Sequence, residues 1–236
     1  MPVDPSPHDA RAQLAALAAG AGRALELARI RGLPVPADPR PAAVLILFGV
    51  LDSVRSAAQA STVSRDLDVL LLARARTLRS HAGQVAFPGG RVDPGDDGIV
   101  GAALREAREE TGLNPAGVDV LGALDAIPLA HSEHMVTPVL AWWRHPSPVG
   151  VVDEAESSAV FRAPVADLLD PAHRGVTVVR RDGQEFRGPG FHVRHATGDH
   201  LVWGFTAMVL DALFDRLGWT EEWDATRELP LDLLGD

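Results

Sequence analysis

Apolar positions recur in two rhythms along this chain. Leu14, Leu17, Ala21, Leu25 and Ala28 return at helical spacing, so a helix is expected from about Asp9 onward. Leu33 to Pro41 carries four prolines and must be extended or turning. Ala42 to Val50 then reads as a strand, and Leu67 to Arg74, apolar over most of its length, as a central one. Val85 to Phe87 is a short third strand running into Pro88-Gly89-Gly90. Ile99 to Thr111 has helical character and stops at Gly112, a residue suited to ending helices. Val118 to Leu124 and Val136 to Trp143 follow as strands, Gly175 to Arg180 and Gln184 to Phe186 as a hairpin about Asp182-Gly183, and Thr206 to Leu217 as a closing helix. This order predicts an α+β fold, one mixed sheet flanked by helices. The expected divisions are a helix and Pro-rich lead-in over 1–40, one domain over 41–217, and a tail over 218–236.

Composition narrows the function classes. The chain of 236 residues is 46 % hydrophobic, which excludes a disordered polymer and provides for a sizeable core. It has no cysteine, which removes disulfides, thiolate metal sites and cysteine nucleophiles. The net charge of −10 argues against nucleic acid as a partner, but not against a small phosphorylated ligand. The longest apolar run, Ala42 to Phe48, falls far short of the roughly 20 residues of a membrane span. The first residues lack the basic start and long apolar stretch of a signal peptide, so a cytoplasmic location is expected.

The question is then where the acids sit. Glu106, Glu109 and Glu110 stand at i, i+3 and i+4 of the predicted helix and share a face. Like charges so placed repel, and Arg105 and Arg108 relieve only part of it. Just upstream, Gly89-Gly90 permits tight backbone geometry after a strand, and Asp93 and Asp96 lie in a turn that can double back to the helix start. Such an oxygen-rich cluster suits Mg²⁺ or Mn²⁺ and phosphate-ester chemistry. The competing reading is a solvated charged helix. Arg74, Arg76, Arg79 and His81 form a basic patch in an acidic protein, with Arg74 and Arg76 on one side of a strand if the strand continues. Arginine matches phosphate oxygens in pairs, so Arg74, Arg79 and His81 are candidate substrate contacts and Arg76 reads as surface. His131 and His134 flank a loop before the Val136 strand, where they could line a pocket; the competing reading of a lone loop histidine is structural or solvated. One of Trp142 and Trp143 is expected in the core, and Trp203 in packing.

The stretch Gly89 to Leu113, ending Arg105-Glu106-Ala107-Arg108-Glu109-Glu110-Thr111-Gly112, resembles the signature of the Nudix hydrolases. The general signature has seven residues between its acid and the arginine. Here Asp96 takes that role with eight residues intervening, while Asp97 has the general spacing but the wrong distance from Gly90. The arrangement Gly-Gly-x-x-Asp-x-x-Asp is similar to the coenzyme A pyrophosphatase subgroup. So are Leu78-Arg79-Ser80-His81-Ala82-Gly83 and Val85-Ala86-Phe87-Pro88-Gly89-Gly90, with Ala75 where that subgroup usually has serine. The likeness continues through Val136-Thr137-Pro138-Val139, Glu156 to Pro164, and Trp203-Gly204-Phe205-Thr206-Ala207, covering about residues 40–217.

The resemblance implies an α/β/α sandwich and hydrolysis of coenzyme A, or its thioesters, to 3′,5′-ADP and 4′-phosphopantetheine. It implies Glu106, Glu109 and Glu110 as ligands of Mg²⁺ or Mn²⁺, with Arg105 orienting them and the Gly90 carbonyl near the metal. Glu156 falls where such enzymes place a further ligand or base; the other reading makes it a helix-start acid. Gly89, Gly90, Arg74, Arg79 and His81 would meet substrate, and a homodimer is a family-level expectation. Two alternatives stand beside this reading. One is the same chemistry on ADP-ribose, NADH or another nucleoside diphosphate derivative. The other is a non-catalytic nucleotide-binding module.

Overall fold

The central strands are apolar on both faces, and this sets the architecture. In β1 (Arg40–Val50), Ala43, Leu45 and Leu47 point one way and Ile46 and Phe48 the other, and all are fully buried. A strand like this needs a layer on each side. The computed structural model describes residues 6–20, 35–51, 58, 60–78, 82–129, 133–181, 183–196 and 198–231.

β1 pairs in parallel with β7 (His134–Trp143) and antiparallel with β2 (Leu67–Arg74). The eight-stranded sheet runs β3-β2-β1-β7-β5. Here β3 is Val85–Ala86, β5 is Val118–Ala123, and three further strands join: β4 (Gly89–Arg91) on β1, β6 (Ile127–Leu129) on β7 and β8 (Ser157–Pro164) on β2. The helix α2 (Gly98–Thr111) lays Ala102, Ala103 and Ala107 on one face. Small side chains there let the helix axis approach the sheet. On the other face lie α1 (Pro7–Ala19) and α4 (Gly204–Leu217), with Leu14, Leu210, Leu213 and Phe214 fully buried. Trp142 and Trp143 are both core, one on each face. The sandwich of helix, mixed sheet and helix is thus as expected.

Several elements were not expected. The segment after Glu156 forms β8 rather than a helix, continued by the short α3 (Val165–Leu169). The 175–186 hairpin is longer than predicted, β9 (Arg174–Arg181) and β10 (Gln184–His195), and joins β11 (Gly198–Val202) in a separate three-stranded sheet. This second sheet is seated by His200 stacked on Phe161 of β8, ring centres 4.6 Å apart, and by an ion pair from Arg174 to Asp211 of α4. Residues past Leu217 pack onto the same body: Trp219 meets Phe48 and Phe214, and Leu229 is buried beside Gly175. Among the described residues no helix is long and apolar enough to cross a membrane. The predicted helical positions Ala21, Leu25 and Ala28 lie outside the described residues.

Candidate active site

Strand β4 brings the site together. It pairs with β1 (Ala43 to Gly90, Val44 to Gly89) directly beneath α2. A side chain at Gly90 would place its Cβ 2.4 Å from Glu106 Oε1, so only glycine lets that carboxylate rest on the strand. The Gly89 N–H donates to Glu110 Oε2 at 2.9 Å. Glu110 is therefore bonded to Gly89, and Glu106 lies against Gly90, both from the same face of α2.

Arg105 organises the rest. Its Nε and Nη2 donate to the two oxygens of Asp96 at 2.7 and 3.1 Å. Its Nη1 donates to Glu106 Oε1 and Glu109 Oε2, both at 3.0 Å, and its Nη2 also reaches the Arg91 carbonyl at 3.0 Å. Asp93 approaches the same guanidinium at 3.7 Å. Asp96, and not Asp97, thus takes the acid's place in the signature. The reason is local: the turn closes by Asp96 N–H to Asp93 O at 3.0 Å and Asp93 N–H to Asp96 Oδ2 at 2.7 Å, aiming the Asp96 carboxylate back at the helix.

The electrostatics follow from this geometry. Hydrogen bonds from Arg105 and then from the Asp93 backbone hold the Asp96 carboxyl below its ordinary range. Burial pushes Glu106 upward, against the pull of Arg105. Burial pushes Glu110 furthest, to about 7, with the neighbouring Glu106 and Glu156 adding to the rise and Arg74 and the Gly89 N–H opposing it. Glu156 is exposed in the turn before β8, close enough to act on the Glu110 charge. Its backbone carbonyl accepts from Ala75 N–H at 2.8 Å, which ties that turn to the end of β2.

The donor set fits a hard divalent cation: all oxygen, partly buried, and more negative than Arg105 can balance. Among the described residues no three acidic or histidine side chains converge on one point. Arg105 Nη1 bridges Glu106 and Glu109 in this arrangement.

Gly89 and Gly90 also border a cleft of about 280 Å³ whose walls include Arg74, His134, Leu129 and Phe205. The Arg74 Nε is buried with no hydrogen-bond partner among the described residues. Arg76 does not share a strand face with Arg74: β2 ends at Arg74, and Arg76 is exposed on the following turn. Arg79, Ser80, His81 and His131 lie outside the described residues. His134, one of the two loop histidines that could line a pocket, does line the cleft, and so does Phe205, to which the sequence assigned no role. The Trp203-to-Ala207 stretch and the predicted helix from Thr206 both point to the start of α4.

Known proteins share the pattern. The NUDIX domain is matched over residues 55–181. The uncharacterized Nudix hydrolase NudL of Cronobacter sakazakii is 39 % identical over 150 residues, covering 64 % of this chain and 75 % of its own. NudL of Photorhabdus laumondii is 39 % identical over 153 residues, covering 63 % and 76 %. Among solved structures, a MutT/nudix family protein from Enterococcus faecalis covers 92 % of this chain and 76 % of its own, at 16 % identity and a TM-score of 0.46. With its signature helix, its acid-clamped arginine and this match over more than half its length, the chain belongs to the Nudix hydrolases, which cleave phosphoanhydride bonds.

Proposed function

We propose that this enzyme hydrolyses the diphosphate of coenzyme A or its thioesters, releasing 3′,5′-ADP and 4′-phosphopantetheine or its acyl form. One observation carries the reading. The segment that resembles the coenzyme A pyrophosphatases, Arg74 to Gly90, begins and ends on a single cleft, and its two glycines form the wall between that cleft and the α2 carboxylates. A diphosphate lying along that wall has Arg74 on one side and the carboxylate centre on the other.

Glu106, Glu109 and Glu110 would hold Mg²⁺ or Mn²⁺, with the Gly90 carbonyl as a further candidate. When bound, the cation supplies charge neutralisation of the diphosphate and favours attack by water at phosphorus. Arg105 is a positioning residue: its donors are taken up by Asp96, Glu106, Glu109 and the Arg91 carbonyl, so it sets the carboxylates rather than the substrate. The buried Arg74 Nε, without a hydrogen-bond partner among the described residues, offers a donor for a phosphate oxygen. Glu156, exposed beside Glu110, takes the role of base or additional ligand. Arg79 and His81 complete the substrate contacts in this reading.

The test is product analysis with Mg²⁺ or Mn²⁺ and a panel of coenzyme A, acetyl-coenzyme A, ADP-ribose, NADH and a nucleoside triphosphate. The expected result is 3′,5′-ADP from coenzyme A. No turnover of coenzyme A beside rapid turnover of ADP-ribose would overturn the substrate assignment while leaving the phosphoanhydride chemistry in place.

A further inference from the structure

The second sheet meets the main body through rings that can take up charge. Antiparallel pairing sets Val193 of β10 opposite His200 of β11, so His200 shares a face with His195, two residues further along β10. That face meets Phe161 of β8. His200 lies flat on the Phe161 ring, at 12° with centres 4.6 Å apart, and His195 leans on the same ring at 5.3 Å. Both histidines are half-buried.

The surroundings favour the neutral form of both. Burial lowers each histidine below 6.5, its ordinary value. For His200, the charges of His195 and of Arg76, on the turn after β2, lower it further, and Asp199 opposes them. Asp199 pairs with Arg194 and so lies on the other face of the sheet, where its Oδ2 is 3.4 Å from His192 Nε2. β8 and β3 add Phe161, Val85 and Ala86, which carry no charge. A single imidazolium over a ring is attracted to it. Two on one ring, with a guanidinium acting on them, repel each other where water screens them poorly. A lowered histidine stabilises the seated sheet fully above about pH 6.5, and that contribution is lost as the pH falls below it.

The seat adjoins the catalytic segment. β11 lies against β3, whose chain runs on through Phe87 and Pro88 into β4. Arg76 stands two residues after Arg74 of the cleft, and Ala75 between them donates to the Glu156 carbonyl. We propose that the second sheet is an acid-released support: protonated His195 and His200 push β10 and β11 off Phe161 and free β3 behind the active site. The device is independent of which phosphoanhydride is cleaved.

Amide hydrogen exchange tests it on the whole chain, read as protection factors so that the intrinsic pH dependence of exchange divides out. Wild type and the His195→Gln/His200→Phe double variant are compared at about pH 7.5 and about pH 5.5. In the wild type, protection of β10 and β11 should fall about tenfold more than that of β1 and β7 on acidification. In the double variant, which keeps a ring on Phe161 and has no charge to gain there, the two regions should move together. Equal loss in both regions of the wild type, or a selective loss that persists in the double variant, would overturn the proposal. Ring-proton NMR of the wild type decides the matter even if the double variant does not fold. Both histidines should titrate below 6.5, and a midpoint at or above that value in either would overturn it.

Discussion

Arg162 on β8 and Arg105 on α2 each grip a carboxylate through two bonds, and there the likeness ends. Arg162 donates to Asp68 at 3.1 and 2.6 Å and to the Val50 carbonyl at 2.6 Å, with its guanidinium 5.0 Å from the Trp143 ring. Asp68 is wholly buried, and among the described residues the centre pairs one positive group with one negative. Arg105 faces Asp93, Asp96, Glu106 and Glu109, with Glu110 close behind. Gathering that much like charge, part of it buried, is unfavourable for folding, and a sequence retains it where a cation or its substrate makes use of it. The first centre is balanced and structural. The second is short of positive charge, and that deficit is its functional mark.

The largest effect is expected from removing one negative charge at the deficient centre. Glu110→Gln should lower kcat roughly 10³-fold, a loss typical of deleting a group that acts on the transition state. In chelator-treated protein the same change should leave the unfolding midpoint equal or higher, because it removes a buried carboxylate charge while an amide oxygen can still accept from Gly89. Steady-state rates and urea melts check both arms. Full activity would break the assignment of Glu110 as a ligand, and a strong loss of stability would show that the charge is structural, as at Arg162.

The next effect belongs to the balanced centre and should be the mirror image. Arg162→Met takes the Arg162 cation from the buried Asp68 and should cost about 3 kcal/mol of stability. Adding Asp68→Leu should recover much of that, since a well-packed apolar pair often replaces a buried ion pair without loss. Activity per folded molecule should be kept in both. If the double variant is as unstable as the single one, packing around Trp143 rather than charge explains the centre.

The two centres were also unequally legible in the sequence. The helix of α2, its stop at Gly112 and the shared face of its glutamates follow from short-range spacing, and all three appear in the structure. The choice between Asp96 and Asp97 does not, because it depends on the turn bonds between residues 93 and 96. Asp68 reads as an interruption in an apolar strand, and nothing near it in sequence announces a partner 94 residues away. The same holds for the cleft: His134 and Phe205 reach it from β7 and α4, and only the fold joins them. The strand β4 was missed because Gly-Gly-Arg has no strand-forming side chains; pairing with β1 makes it a strand.

That strand supplies the finest division between structural and functional roles, in two adjacent residues. From sequence, Gly89 and Gly90 read as providers of tight backbone geometry, but neither has a positive φ. What each needs is space. A Cβ at Gly89 would lie 2.3 Å from the Ala43 carbonyl oxygen, which belongs to the β1 backbone and cannot step aside. A Cβ at Gly90 would meet the end of the Glu106 side chain, which can. Gly89→Ala should therefore act like overpacking and cost about 2 kcal/mol in urea unfolding. Gly90→Ala should keep its stability and lose about tenfold in kcat, since Glu106 must swing off the strand. Equal destabilisation in both would mean that Glu106 is as fixed as backbone. Full activity in Gly90→Ala would mean that its resting place against β4 is not where it acts.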